Sequence, residues 1–497
     1  MPESDASHAA QPQRSAIRTI ARNTIWGIGA QFALKGANFL FSVLIVRKLG
    51  GEQFGQYWIV LAWTGLFSVI GDLGITQYLT REIARDGRRT EELFWDTVFL
   101  RLVLAILCTA ITIGAAVALT NYSSEIIWGM LIFCLTYFFQ IIIAPLNSIL
   151  VGNERIDIAS ALNVVMQVLW MIFSGLFLML GLGFDWILIA GVINLPIVLA
   201  LQIWFVRRNQ LSPPRFRLNR ALWWSVIKAG LPFGFTQLAL SFAFRVDTIV
   251  LSSYVSEYEV GLYNVAYNLV LTLHGLNSSF GQAIMPTLAR EHARDPQSIL
   301  PWYYRSVKLL LFLGLPVAVG GMVTAGHIVG FLYQPEIAPA AVALAILIWD
   351  LPFVMYHSFC GQIANSITRE GSAARIYITL GIFNLGLNLL LVPRLGIIGA
   401  AFATVTTDLL GAALYYLMYR RTFGAGLGLT RLIRIPAAAG IMGVLAYALR
   451  DQHLFLIIPV AGAAYLALVW ALRVFSLQER EQLVGLVQRR LRLKPAG

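Results

Sequence analysis

Fourteen apolar runs, each of about the 20 residues that a helix needs to cross bilayer hydrocarbon, divide the chain. They begin near Asn23, Gln56, Thr97, Ile126, Asp157, Trp186, Ala229, Glu259, Tyr304, Ala338, Arg375, Gly396, Arg431 and Leu454. Within lipid only helices and closed barrels satisfy their own backbone hydrogen bonds, so the runs predict an all-α integral membrane protein with 14 transmembrane helices. Only 12% of the 497 residues are charged and 58% are hydrophobic.

The formal net charge of +12 would suit a nucleic-acid surface, but the placement of the charge does not. With the N-terminus inside, 29 of the 37 Lys and Arg residues fall in cytoplasmic segments. Four (Arg47, Lys48, Arg394 and Arg450) lie outside, and four (Lys35, Arg101, Lys228 and Arg245) lie within helices. That bias is the positive-inside pattern of a multi-pass protein with both termini cytoplasmic, and no nucleic-acid partner is expected. Residues 1–22 are polar, and the run after Arg22 is too long for a signal-peptide core, so it is expected to remain as the first helix. Cys108, Cys134 and Cys360 stand alone in apolar helices and are expected to pack rather than bind metal.

The stretch GEQFGQYWIVLAW after the first helix is echoed by EYEVGLYNVAYNL after the seventh. At an offset of 206, Gly55, Tyr57 and Ile45 fall on Gly261, Tyr263 and Leu251. A second echo, at an offset of 210, sets Ile187 and Ala190 on Ile397 and Ala400. The echoes predict two six-helix lobes related by an axis along the membrane normal, plus two extra C-terminal helices. The expected divisions are a cytoplasmic tail over 1–22, a first lobe over 23–206, a linker over 207–221 and a second lobe over 222–421. The two added helices occupy 422–473, and a basic amphipathic tail on the inner membrane surface occupies 474–497. Outer loops such as NYSSE, GFD and SEY are too short to hold a folded domain. The chain has no GxxxxGK[ST], HExxH or GxSxG motif, so energy would come from an ion gradient or the membrane potential rather than bound ATP.

Three stretches, NTIWGIGAQFALKGANFLFSVLIVRKLGGEQFGQYW, GDLGITQYLTREIAR and GLPFGFTQLALSFAFRVDTIVLSSYVSEYEVGLYNVAYNL, resemble the polysaccharide transporter family. That family contains O-antigen and exopolysaccharide repeat-unit flippases and shares a superfamily with multidrug and toxin extrusion exporters and the lipid II flippase. The resemblance covers roughly residues 20 to 475. It implies a V-shaped pair of lobes in a bacterial inner membrane, turning a polyprenyl-pyrophosphate-linked oligosaccharide from the inner to the outer leaflet by alternating access. Membrane lipids are its surroundings, and a polysaccharide polymerase and other assembly proteins are candidate partners. The rival is an ion-coupled multidrug-type exporter of the same fold; a membrane enzyme or assembly scaffold is a third class.

Ionisable groups inside lipid cost roughly 2.5 to 3.5 kcal/mol even on the lenient insertion scale and so mark sites. Lys35 lies mid-way along the first helix and Arg245 in the seventh. The resemblance places both helices on the central cleft, where these cations would contact the pyrophosphate, with Arg81, in the loop beyond a helix, at the cytoplasmic mouth. Snorkelling or a private ion pair is the alternative, and snorkelling is expected for Arg101 and Lys228. Asp247 is two residues from Arg245 and cannot face it on a helix. Asn384, Asn388 and Thr404 supply oxygens that would suit a hard cation beside Asp247, a set similar to the sodium site of the lipid II flippase, with Asn388 where that pattern has a carboxylate. Interhelical hydrogen bonding is the alternative. Asp350 could pair with Arg245 or carry a proton, and His274 or His357 could titrate, although either histidine alone fits a packing role. Asp408 also lies well inside its helix. No cofactor is expected; coupling would use Na+ or H+.

Overall fold

The computed structural model describes residues 6–87, 89–209, 211, 219, 221–294, 298–366, 370–424 and 432–475. Most of the expected linker 207–221 and nearly all of the expected basic tail 474–497 lie outside them. The described residues are helical throughout, without a strand. In chain order the helices are α1 (Ala6–Asp72), α2 (Ile75–Arg85), α3 (Arg89–Leu119), α4 (Ser124–Gly152), α5 (Ile156–Met179), α6 (Phe184–Arg208) and α7 (Ala221–Ser252). They continue with α8 (Glu257–Arg294), α9 (Ile299–Leu332), α10 (Ala340–Leu347), α11 (Asp350–Ser366), α12 (Glu370–Phe423), α13 (Arg434–Ala448) and α14 (Leu454–Ala471).

Every expected apolar run coincides with a helical stretch. The first two are the halves of α1, broken at Gly50 (φ 74°), and the eleventh and twelfth are the halves of α12, broken at Gly396 (φ 54°). Both breaks use the left-handed conformation that glycine adopts without Cβ strain. Among the described residues, nine helices are long and apolar enough to cross a membrane, or ten if the bent pair Leu222–Ala239 and Phe244–Ser252 forms one span. Large apolar side chains such as Leu40, Met179 and Phe455 stand exposed on them, as lipid-facing surfaces require.

Helix α1 reaches back to Ala6, into the segment expected as the cytoplasmic tail. One expectation is corrected. Arg81, expected in a loop, lies on α2. There Ile75, Tyr78, Leu79, Glu82 and Ile83 form one buried stripe, so the amphipathic spacing continues the chain as a helix after the left-handed Gly74.

The two halves of the chain meet first at their echoed glycines. A Cβ on Gly55 would lie 1.8 Å from the carbonyl oxygen of Glu257, and one on Gly261 would lie 1.9 Å from that of Gly51. Because 51 and 55 correspond to 257 and 261 at the offset of 206, the contact is reciprocal, as across a two-fold axis. Around it a central core takes Val46, Ile59 and Val60 from α1 and Leu251, Val260 and Val265 from α7 and α8. Further along the helices the core divides. One cluster holds Ile83, Leu104 and Ile149 of the first half, and another holds Tyr303, Phe359 and Tyr419 of the second. A fourth packs α13 and α14 on α9.

At the divided end the first part of α7 crosses to the first half of the chain. Gly230 and Gly234 lie so close to Leu73 and Gly74 that a Cβ on Gly74 would be 2.3 Å from the Gly230 carbonyl oxygen. Beside them, Arg101 does not snorkel: it is buried, ion-paired with Asp72 and hydrogen-bonded to Thr76. Lys228 is exposed, as expected.

Gly55→Val is expected to overpack the seam and lower the melting point of the purified protein, at a cost of about 1 to 3 kcal/mol. Gly114→Ala, whose Cβ would meet nothing within 4 Å, should leave it unchanged. Arg101→Leu is expected to cost about 3 kcal/mol or more by stranding Asp72, with the double change Arg101→Leu/Asp72→Leu recovering most of the loss. Melting curves of the four variants check both.

Candidate functional site

Arg245 sits on the second part of α7 and reaches across the seam. Its Nη1 donates to the carbonyl of Leu61 on α1, and its guanidinium lies against the backbone of Gly65, where any Cβ would overlap it. Gly65 is ten residues past Gly55 and nine before Gly74, so the cation stands about midway between the two points where the halves close on each other. Tyr57, Tyr137 and Tyr267 are its electrostatic neighbours, and Tyr137 OH donates to the carbonyl of Thr64 at 2.5 Å. Among the described residues no carboxylate lies within ion-pair distance of Arg245. A guanidinium held by a carbonyl oxygen, with no carboxylate beside it, leaves its positive charge available to an anion.

The other two expected cations lie on α1 and α2. Lys35 is half-buried on the first half of α1, and the described contacts of Arg245 do not include it. Arg81 is 57% exposed, 3.4 Å from Glu82, with its guanidinium 5.5 Å from the Phe233 ring of α7. It therefore stands at the Gly74 end of the seam. The Gly55 end carries the opposite sign: a cleft of about 620 Å³ there is lined by Glu52, Gln56, Glu125 and Glu257, and Gln56 Nε2 donates to Glu257 at 2.5 Å. Its carboxylates would repel a diphosphate.

The oxygen set expected around Asp247 does come together. Asn388 Nδ2 donates to Asp247 Oδ1 at 2.7 Å, and Thr404 Oγ1 donates to Oδ2 at 2.7 Å. Asn388 Nδ2 also lies 3.2 Å from Asn384 Oδ1, and Asn384 Nδ2 lies 3.4 Å from Thr407 Oγ1. Tyr263 OH, a member not expected from the sequence, donates to Asp247 Oδ2 at 3.1 Å. The echo marked Tyr263 only as the counterpart of Tyr57. Buried Asn388 Oδ1 has no hydrogen-bond partner. A buried acceptor left unpaired calls for an explanation. Asn388 turns Nδ2 rather than Oδ1 toward Asp247 and Asn384, so the set as it stands is an interhelical hydrogen-bond network. With that amide turned over, Asn388 Oδ1, Asp247, Asn384 Oδ1 and Thr404 Oγ1 would offer one charged and three neutral oxygens, which suit a monovalent hard cation rather than a divalent one.

Asp350 does not pair with Arg245. It meets His274, while His357 meets Asp408. Among the described residues no three His, Cys, Asp or Glu side chains gather as a metal-ligand set, and Cys108, Cys134 and Cys360 are buried free thiols.

Comparison with known proteins fits this architecture. A family model described as "Polysaccharide biosynthesis protein" matches residues 20–292, and the MatE model matches residues 232–393. The chain is 23% identical over 414 residues to a probable low-salt glycan biosynthesis flippase, Agl15, of Haloferax volcanii, covering 81% of this chain and 82% of that protein. It is 24% identical over 306 residues to a putative O-antigen transporter of Shigella dysenteriae, covering 58% of this chain and 72% of that one. The lipid II flippase MurJ in an inward closed conformation superposes with a TM-score of 0.75 at 16% identity, over 90% of this chain and 99% of that one. An inward-facing multidrug resistance MATE family transporter does so with a TM-score of 0.64 at 17% identity, over 78% and 94%. At such identities these likenesses establish the fold. The match over residues 20–292 spans more than half of the sequence, and the chain accordingly belongs to the polysaccharide biosynthesis protein family of membrane transporters.

Proposed function

We propose that this protein is a flippase that moves a polyprenyl-pyrophosphate-linked oligosaccharide from the inner to the outer leaflet by alternating access, in the assembly of a cell-surface polysaccharide. The observation that carries the proposal is Arg245, a mid-seam guanidinium with no acidic partner among the described residues. A diphosphate cannot enter hydrocarbon unaided, and a cation desolvated between two movable bodies gives it a place to pause. The relatives named as a glycan flippase, an O-antigen transporter and a lipid II flippase support the same substrate class.

In this proposal Lys35 joins Arg245 at the pyrophosphate, and Arg81 receives it at the cytoplasmic mouth. The two halves act as six-helix lobes over 23–206 and 222–421 in a V, with α13 and α14 as additions. The 14 apolar runs, α2 not among them, span a bacterial inner membrane with both termini cytoplasmic, as the bias of Lys and Arg supports. Asp247, Asn384, Asn388 and Thr404 form the coupling site for Na+. A polymerase and other assembly proteins receive the product. The MatE match over 232–393 favours a second reading, an ion-coupled exporter of cationic drugs. Its central cation Arg245 would repel that cargo.

In cells relying on a plasmid copy, Arg245→Ala and Lys35→Ala are each expected to abolish surface polysaccharide while membrane levels of the protein stay normal. Gly65→Val, which removes the space that the guanidinium occupies, should reduce polymer by about tenfold or more, the worth of one charge-assisted contact. Normal polymer in all three, with altered drug susceptibility instead, would favour the exporter. Asp247→Asn should abolish any dependence of transport on Na+ in vesicles loaded with lipid-linked sugar. An unchanged sodium response would remove the coupling role.

A further inference from the structure

Helix α5 shows two kinds of exposed face. Val164, Val168, Ile172 and Leu176 make one row, an apolar surface of the kind that hydrocarbon accepts. Ser160, Asn163 and Gln167 make a second, about a third of a turn away at 3.6 residues per turn. Gln167 stands at the middle of Ile156–Met179, far from either end of the span. Asn163 has no hydrogen-bond partner among the described residues, and an amide in that condition is costly against lipid tails. The polar row therefore fronts water or a polar ligand rather than lipid.

Across from it runs the first part of α1. Asn38 Nδ2 donates to Gln167 Oε1 at 3.4 Å, and the rings of Phe41 and Trp170 meet edge to face with centroids 5.2 Å apart. Both pairs are 129 residues apart in the chain, so the two helices run parallel in one register. That register brings Lys35, one turn before Asn38, level with Asn163 and Val164. At the offset of 206, Phe41 corresponds to Asp247. Asp247 is sealed in by Asn388 and Thr404, all three buried. Phe41 and Trp170 are half-buried, and Gln167 beside them is exposed. The equivalent place is thus closed in the second half and open in the first.

We propose that this open face is the sugar subsite, where Asn38, Asn163, Gln167 and Trp170 hold pyranose units of the lipid-linked oligosaccharide. Amide side chains both donate and accept, as sugar hydroxyls do. The half-buried indole of Trp170, held by Phe41, offers a flat apolar surface to the C–H face of a ring. The row carries no charge, which suits hydroxyls rather than a second phosphate. Lys35, at one end of it, stands where a pyrophosphate would join the sugar. The assignment rests on the flippase proposal and divides its cargo between two sets of residues, the cations for the diphosphate and these four for the sugar.

Equilibrium binding to the purified full-length protein in lipid nanodiscs tests the subsite with two probes: a polyprenyl pyrophosphate without sugar, and the lipid-linked oligosaccharide extracted from the cells that make the polymer. The wild type is expected to bind the glycosylated lipid about tenfold or more tightly than the bare one, the worth of one or two hydrogen bonds. Asn163→Leu/Gln167→Leu should cut that preference to about twofold and leave the affinity for the bare lipid unchanged. No preference in the wild type, or one that survives the double substitution, overturns the subsite and leaves the flippase reading standing; a wild type that binds neither probe overturns both. If the double variant does not fold, Gln167→Cys and Val168→Cys supply the test with a water-soluble maleimide, against a wild type whose three cysteines are buried. Reaction at 167 alone, slowed by the glycosylated lipid and not by the bare one, supports the subsite. Equal reaction at both positions, or no slowing, rejects it.

Discussion

The backbone-to-backbone contact between Gly55 and Glu257, returned by Gly261 on Gly51, sets the distance between the two halves of this molecule. In lipid no hydrophobic effect draws helices together. Close approach of bare backbone, with its dispersion and Cα–H···O contacts, is what remains. Any side chain at 55 or 261 would push α1 from α8. The seam beyond would then widen, and the carbonyl of Leu61 would move from beneath Arg245. The position of one cation therefore depends on two hydrogen atoms at glycine α-carbons several turns away.

The symmetry that builds the scaffold does not extend to its chemistry. At the offset that pairs Gly55 with Gly261 and Tyr57 with Tyr263, Arg245 corresponds to Phe39 and Asp247 to Phe41. Tyr263 is fully buried and bonded to Asp247, whereas buried Tyr57 lies within electrostatic reach of Arg245. Around Arg245 the first half contributes a carbonyl oxygen and a glycine-lined recess. The sets around Asp247, Asp350 and Asp408 are anchored within the second half, whereas the buried Arg101–Asp72 pair belongs to the first.

Run length made the helices legible, and the echo made the seam legible, because both are properties of consecutive residues. The set at Asp247 was legible for a related reason: Asn384 and Asn388 lie one turn apart on the same face, and a buried acid must find donors. Arg101 was not legible. Its partner Asp72 is 29 residues away, and nothing in an apolar helix says which way a mid-length arginine will turn. The same holds for Asp408 and His357, 51 residues apart. A helix apolar all round carries no moment to reveal its inward face, so pairs between such helices become visible only when rotation about each axis is known. α2 was missed because its eleven residues are too few for a span, and its pattern of Ile75, Leu79 and Ile83 is that of a surface helix rather than a membrane one.

The bend in α7 decides how these parts can move relative to one another. Its two parts, Leu222–Ala239 and Phe244–Ser252, differ in direction by 59°. The first part is packed on Leu73 and Gly74, while the second carries Arg245 and Asp247 into the central core. A rigid helix would tie the contact at Gly74 to the contact at Leu61, so that loosening one would tear the other. With a bend between them, the proposed alternating access has a place to act: the divided end of the core would open by swinging Gly230 and Gly234 off Gly74, while Gly55 and Gly261 stayed in contact and the guanidinium stayed on the Leu61 carbonyl.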